Sequence, residues 1–170
     1  LIQKSGARFV DLAEIGSYED GFFNLEVFGK ADRVVYLAAY LYHYRRDGSS
    51  SVTSGYNPRL YDQWQTLYDR MEAIIRSNQL GSEYEAALNN RIALGILGLG
   101  LNITVSTQPM GKKVKDIHRI IRQERYRKAY KNLPLNYFPI HWKLFYGCAR
   151  HGFAFGVYVL LTVIQRIISR

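Results

Sequence analysis

Two short segments near the start of the chain carry residue types that could perform group-transfer chemistry. Glu19 and Asp20 form an adjacent carboxylate pair, and a carboxylate within hydrogen-bond reach of a hydroxyl can act as a general base. A later aromatic and basic cluster contributes the polar residues His43, Arg45, Arg46 and Ser50. Arginine forks, imidazole and hydroxyl groups suit the oxygens of a phosphate. The pattern therefore predicts a proton acceptor and a phosphate-binding group within one region of the chain.

The elements around these residues decide whether they are available for chemistry. Residues 19 to about 31 are expected to form a helix, and the positive end of its dipole would keep Asp20 ionised. The alternative is that the two carboxylates only stabilise the start of this helix. For Arg45 and Arg46 the alternative is simple solvation, and for His43 it is packing on a strand. His43 could also bind a divalent metal.

These residues resemble a known arrangement. Residues 1 to about 52 are similar to the later part of the catalytic domain in bacterial family-2 glycosyltransferases of the GT-A fold. The similarity is carried by four elements in the family's order: Glu19-Asp20, Phe23-Asn24-Leu25, the strand-like Arg33-Val34-Val35-Tyr36-Leu37, and Leu41-Tyr42-His43-Tyr44-Arg45 followed by serines.

The resemblance implies an α/β fragment, the end of a GT-A-type nucleotide-sugar transferase domain, followed by a mainly α-helical C-terminal region. It implies inverting transfer of a sugar from a nucleotide-diphospho-sugar to a glycan or lipid-linked acceptor, in capsule or exopolysaccharide biosynthesis. Asp20 would be the base, and Glu19 would orient the acceptor or assist a metal site. The leaving diphosphate would be contacted by His43, Arg45, Arg46 and Ser50.

The same resemblance implies Mg or Mn as the cofactor. The family's Asp-X-Asp ligand motif is absent from this sequence, and the chain starts at Leu1 without Met. We therefore expect the nucleotide-binding half to lie upstream, and we expect this fragment alone to be inactive. The single cysteine, Cys148, excludes an internal disulfide and a cysteine-built zinc site.

The apolar periodicity and the breaks that contain glycine and proline divide the chain into three parts. The resemblance implies that residues 1–55 are the acceptor-side end of a GT-A catalytic domain, and the patterns predict a helical pair over 56–106 and basic and amphipathic membrane-associated helices over 107–170. Asn57 and Pro58 predict a helix start, and Ser82 with Glu85 matches a capping box. Helices are expected over 57–78, 82–105, 112–131 and from 140 to the end, each from its apolar period.

The charge of the chain is concentrated in its last third. Residues 112–170 hold thirteen basic and two acidic residues, whereas residues 1–111 hold ten basic and twelve acidic ones. This asymmetry indicates an anionic partner. The last helix carries a wide apolar stripe, given by Trp142, Phe145, Tyr146, Ala149, Phe153, Val157, Leu160, Leu161, Ile164 and Ile168.

An apolar stripe beside basic residues is typical of a helix that lies on an anionic membrane surface. We therefore expect a cytoplasmic protein, peripheral at the inner face of the cell membrane, with no nucleic-acid partner. One alternative is that the last helix packs as a core helix against residues 57–105. Both roles are compatible if one face of the helix meets the core and another meets the membrane. Another is that the whole chain is a non-enzymatic basic helical module that binds membrane or nucleic acid.

Overall fold

The computed structural model describes residues 2–42 and 55–168. In these ranges the chain forms helices α1 (Ile2–Ser5), α2 (Leu12–Ile15), α3 (Glu19–Phe28), α4 (Leu60–Ser77), α5 (Ser82–Val105), α6 (Met110–Arg122), α7 (Glu124–Asn132), α8 (Ile140–His151) and α9 (Ala154–Ile168), with a 3-10 turn at Leu135–Tyr137.

The expected α/β architecture is wrong, because the described residues form helices and no strand. Residues 33–37, predicted to be a strand, have no regular secondary structure and are exposed to solvent, with Tyr36 exposed to 90 %. A strand needs a neighbour that accepts and donates its backbone hydrogen bonds. No described segment provides such a neighbour, so the β-branched and aromatic composition of 33–37 is not sufficient to form a sheet.

Helices α4 and α5 match the predicted helical pair closely. Asn57 is not the cap that the sequence predicted, because α4 begins at Leu60 with Arg59 at the cap position and no side-chain cap. The Asn57 side-chain oxygen instead accepts a hydrogen bond from the Arg59 backbone N–H at 3.0 Å, in the turn before the helix. The capping box at the start of α5 is not formed, because α5 begins at Ser82 itself, after Gly81, and no side chain caps it. The apolar period therefore predicted the helices better than the capping residues predicted their ends.

Helix α5 is the central element of the core, where it contacts α4, α6, α7 and α9. By length and composition, α5 is the one helix within residues 2–42 and 55–168 that could cross a membrane. Several of its apolar side chains, including Ile96 and Leu99, are buried in the core of the bundle. A helix that is apolar on most of its circumference is typical of such a buried position.

Two helices predicted as continuous are broken. The predicted helix over 112–131 is divided into α6 and α7 at Gln123, whose backbone has ψ 142° and leaves the helical conformation. The predicted last helix is divided into α8 and α9 around Gly152, which takes the left-handed conformation at φ 76°. These breaks let α9 turn back against α5, α6 and α8, so the C-terminal region joins the core.

A polar network ties the start of the chain to the bundle. The Asn57 backbone N–H donates to the Asn102 side-chain oxygen at 2.7 Å, and the Asn102 amide donates back to the Asn57 carbonyl at 2.8 Å. The Asn57 amide donates to the Gln63 side-chain oxygen at 2.8 Å, and the Gln63 amide donates to the Ala13 carbonyl at 3.0 Å. The network therefore fixes the segment that leads into α3.

Candidate functional site

The predicted carboxylate pair lies at the first turn of α3, as the sequence indicated. Asp20 is exposed and Glu19 is partly buried. The Asp20 side-chain oxygen accepts a hydrogen bond from the Gly21 backbone N–H at 2.6 Å. Within the described ranges Asp20 has no ion-pair partner. Its carboxylate is therefore accessible to a ligand, although it also fulfils the stabilising role at a helix start.

The residue before this pair has an unusual backbone. Tyr18 precedes α3 in the left-handed conformation, with φ 72° and ψ 27°. Its ring lies over the first turn of α3, where a Cβ atom at position 21 would collide with the ring. Glycine at position 21 is thus required for this placement. A non-glycine residue in the left-handed region costs free energy and is found where its surroundings stabilise it.

Arg91 of α5 is one such stabilising contact. Its Cζ atom lies 3.8 Å from the centroid of the Tyr18 ring and 5.4 Å from that of the Trp64 ring. The Trp64 indole N–H in turn donates to the Ser17 hydroxyl at 3.0 Å. These contacts connect the first turn of α3 to α4 and α5 and hold it in one orientation.

A pocket of about 350 Å³ opens beside this turn. Tyr18 and Gly21, which flank the carboxylate pair in sequence, lie in its wall, and so does Arg91. Its other lining residues come from α3, α4 and α5 and are mostly apolar. The candidate site is therefore an exposed carboxylate next to a pocket that contains one cation.

The other predicted site residues, His43, Arg45, Arg46 and Ser50, lie outside the described residues. Their distance from Asp20 is not given by the structure, so their role stays a prediction. In the described part of the chain, no group of three or more His, Cys, Asp or Glu side chains could hold a metal ion. The described residues therefore do not provide a site for the Mg or Mn that the resemblance implied.

The basic residues of the last third serve two purposes. Three of them bind other parts of the chain: Lys113 donates to the Thr104 carbonyl at 2.8 Å, and Arg125 pairs with Asp69 and Glu72. Arg150 donates to the Tyr130 and Leu133 carbonyls, at 2.9 and 2.6 Å, near the end of α7. Other basic residues are exposed, namely Lys112, Lys115, Arg119, Arg122, Arg127, Lys128, Lys131 and Arg166.

Half of the apolar stripe predicted for the last helix is buried in the core, whereas its members Phe153 and Ile168 are exposed. Phe145, Tyr146, Ala149, Val157 and Leu161 of that stripe are each at most 3 % exposed. A second apolar row, not recognised in the sequence, faces solvent on α9. Its members recur every four residues and are Phe155, Val159, Val163 and Ile167, exposed to 49, 43, 49 and 69 %. Helix α9 therefore has one apolar face in the core and one on the surface.

Arg91 is the main site residue that the sequence pattern did not reveal. A signal was present, because Arg91 is the only basic residue between Arg76 and Lys112 and stands at the start of the apolar half of α5. A lone cation in an apolar helix is usually paired or placed at a site. Its aromatic contacts, however, join residues that are far apart in sequence.

No family model, no curated protein and no solved structure matches this chain.

Proposed function

We propose that this chain supplies the acceptor side of a sugar transferase that uses a nucleotide-diphospho-sugar donor. The observation that carries the proposal is the exposed Asp20, which has no ion pair with the described residues and whose sequence neighbours Tyr18 and Gly21 line a pocket. The order of the four sequence elements around Asp20 supports it further. The proposal depends on these residues and not on a GT-A fold.

In this function Asp20 would accept the proton of the acceptor hydroxyl. The acceptor oxygen forms a bond to the anomeric carbon while the bond from that carbon to the diphosphate oxygen breaks. The electron pair of the broken bond leaves with the nucleoside diphosphate, and the configuration at the anomeric carbon inverts. Arg45, with His43, Arg46 and Ser50, would bind the departing phosphate oxygens through charge-assisted hydrogen bonds.

The test is Asp20→Asn in the full-length enzyme that the resemblance implies. The amide keeps the shape of the carboxylate but cannot accept the proton, so turnover should fall by about 100- to 10,000-fold while donor binding persists. Glu26→Gln, on the same helix, is the matched control and should retain turnover. If Asp20→Asn keeps more than about a tenth of wild-type turnover, Asp20 is not the base.

We further propose that the chain is held at an anionic membrane surface. The exposed row on α9 would enter the interface between head groups and acyl chains, and the exposed cations of α6 and α7 would attract anionic lipids. Each Lys or Arg close to such a surface contributes about 1 kcal/mol. A lipid-linked acceptor would then be presented at the surface to which the enzyme is bound.

The membrane test is sedimentation with vesicles of phosphatidylcholine and phosphatidylglycerol. Changing Val159 and Val163 to Ser removes two half-exposed side chains, each contributing about 1 kcal/mol when buried in lipid. Membrane affinity should therefore fall about 30-fold. The matched control changes Val34 and Val35 to Ser, which are also exposed but lie far from α9 in sequence. Equal losses for the two pairs, or no loss for either, would contradict a membrane contact through α9.

A second candidate function is a non-enzymatic helical module that binds the membrane, and the same exposed row on α9 favours it. This function needs neither Asp20 nor a donor. It is supported if vesicle binding depends on Val159 and Val163 while the full-length protein hydrolyses and transfers no nucleotide-sugar. Binding of RNA with a steep salt dependence, unaffected by changes on α9, would instead point to a nucleic-acid partner.

A further inference from the structure

The pocket beside the first turn of α3 has an apolar interior. Its walls include Leu25 and Phe28 of α3, Met71 and Ile75 of α4, and Tyr84 and Leu88 of α5. Its volume of about 350 Å³ is within the range of small-molecule sites, roughly 300–1,000 Å³. An apolar wall with few polar groups is typical of sites that bind a largely apolar ligand and orient it through one polar contact.

Among the described residues, Arg91 is the one charged side chain in this wall, and it forms no ion pair with them. The Nε atom of Arg91 is buried and has no hydrogen-bond partner in the described part of the chain. A buried donor without an acceptor costs free energy, and it is rare enough to require an explanation. Because this Nε atom is closed to solvent, a ligand in the pocket would meet the terminal Nη groups of Arg91, and an anionic group there would neutralise the guanidinium charge.

The aromatic contacts of Arg91 leave its donors available. Its Cζ atom lies 3.8 Å from the centroid of the Tyr18 ring, which is a cation–π contact. A guanidinium has five N–H donors, and a cation–π contact through its centre does not require all of them. The group is held in place before any ligand binds, which reduces the entropy lost on binding.

We propose that this pocket binds an amphiphile, with its anionic head group on Arg91 and its apolar chain along the walls formed by α3, α4 and α5. In the proposed sugar transfer this ligand is the lipid part of the acceptor, and that identification rests on the proposed function. The binding itself does not, because it requires Arg91 and the apolar walls but no donor and no Asp20. The head group would lie on the side of the pocket formed by Tyr18 and Gly21, the neighbours of the carboxylate pair.

The test is calorimetric titration of the whole chain with dodecyl phosphate and dodecanoate. Dodecanol and inorganic phosphate separate the contributions of the chain and of the head group. We expect either dodecyl anion to bind at least tenfold more tightly than dodecanol, and phosphate alone to give no measurable binding. Preference between the phosphate and the carboxylate identifies the source of the anion, a lipid phosphate or a fatty acid.

Arg91→Ala should weaken binding of the anionic amphiphile by about 10- to 100-fold, whereas Arg91→Lys should restore part of it. Arg59→Ala is the matched control and should bind as the wild type. Ala87→Trp fills the pocket from its rim and should abolish binding even if Arg91→Ala fails to fold. The proposal would be overturned if dodecanol bound as tightly as the dodecyl anions. It would also be overturned if the two single variants Arg91→Lys and Ala87→Trp both bound the anionic amphiphile as tightly as the wild type.

The outcomes also separate this proposal from the proposed sugar transfer. Asp20→Asn should bind the amphiphile as the wild type does, because Asp20 does not line the pocket. If amphiphile binding fails while Asp20 remains essential for turnover, only the pocket assignment is wrong. If binding succeeds while the full-length protein transfers no sugar, only the catalytic assignment is wrong.

Discussion

Replacing Asn102 by alanine tests the polar network that fixes the segment before the candidate site. The side chain makes two hydrogen bonds with the backbone of Asn57, at 2.7 and 2.8 Å, across partly buried surface. Each such bond contributes about 1 kcal/mol. The Asn57 carbonyl keeps a second donor, the Leu60 backbone N–H at 3.3 Å, but the Asn57 N–H loses its acceptor.

Alanine also favours the helix by about 0.6 kcal/mol relative to asparagine, which offsets part of the loss. The expected decrease in the free energy of unfolding is therefore about 1–2 kcal/mol, or roughly 2–8 °C in the midpoint of thermal unfolding for a chain of this size. Urea unfolding followed by circular dichroism measures the first quantity, and amide hydrogen exchange of Asn57 reports directly on the broken bond.

Asn90→Ala is the matched control, because Asn90 lies on the same helix and no hydrogen bond of its side chain occurs within the described residues. It should be neutral or slightly stabilising, since only the helix preference changes. If Asn102→Ala and Asn90→Ala unfold at the same urea concentration, or if exchange at Asn57 is unchanged, the network does not hold this segment.

Two further predictions concern the core. A Cβ atom at Gly98 would lie 2.6 Å from the Trp64 ring, an overpacking that costs about 1–3 kcal/mol. The helix preference of alanine over glycine returns about 1 kcal/mol, so Gly98→Ala should destabilise the chain by about 0–2 kcal/mol in urea unfolding; a gain in stability would mean that the ring can move. Burial raises the pKa of Tyr68 and of Tyr146 to about 12. Below pH 10 both tyrosines are neutral in the folded and the unfolded chain, and their contribution to stability is fully present. Between pH 10 and 12 only the unfolded chain ionises, so the free energy of unfolding falls by about 1.4 kcal/mol per pH unit for each tyrosine. Unfolding free energies measured over that range check the slope, and Tyr68→Phe should reduce it; an unchanged slope would contradict the assignment.

The helical pair was predictable from the sequence because its signal is local. Apolar residues such as Leu67 and Met71 recur with the helical period, and they are buried where that period predicted. The same reasoning predicted the position of Asp20 at the start of α3. The breaks at Gln123 and Gly152 were not predicted, since the apolar period continues on both sides of each break.

The strand predicted at 33–37 failed for a different reason. Strand preference describes how well a residue fits a pleated and partly buried surface, so it takes effect only when a neighbouring strand is present. Val34 and Val35 have the expected residue types but lie exposed in the described structure. Composition of this kind predicts a tendency to form a strand, and pairing with a neighbour decides whether the strand forms.

By itself, the sequence determined the helical pair α4 and α5, the place of the carboxylate pair at the start of α3 and the distribution of charge, because these properties depend on residues close together along the chain. Only the tertiary structure decided which of two apolar rows on α9 is buried and which is exposed. The tertiary structure also decided the contact of Arg91 with Tyr18. The Arg91 Cζ atom lies 3.8 Å from the Tyr18 ring centroid, although α3 and α4 separate the two residues in sequence. Packing between distant helices selects one face of each helix for the core, and a single helical period does not contain that information.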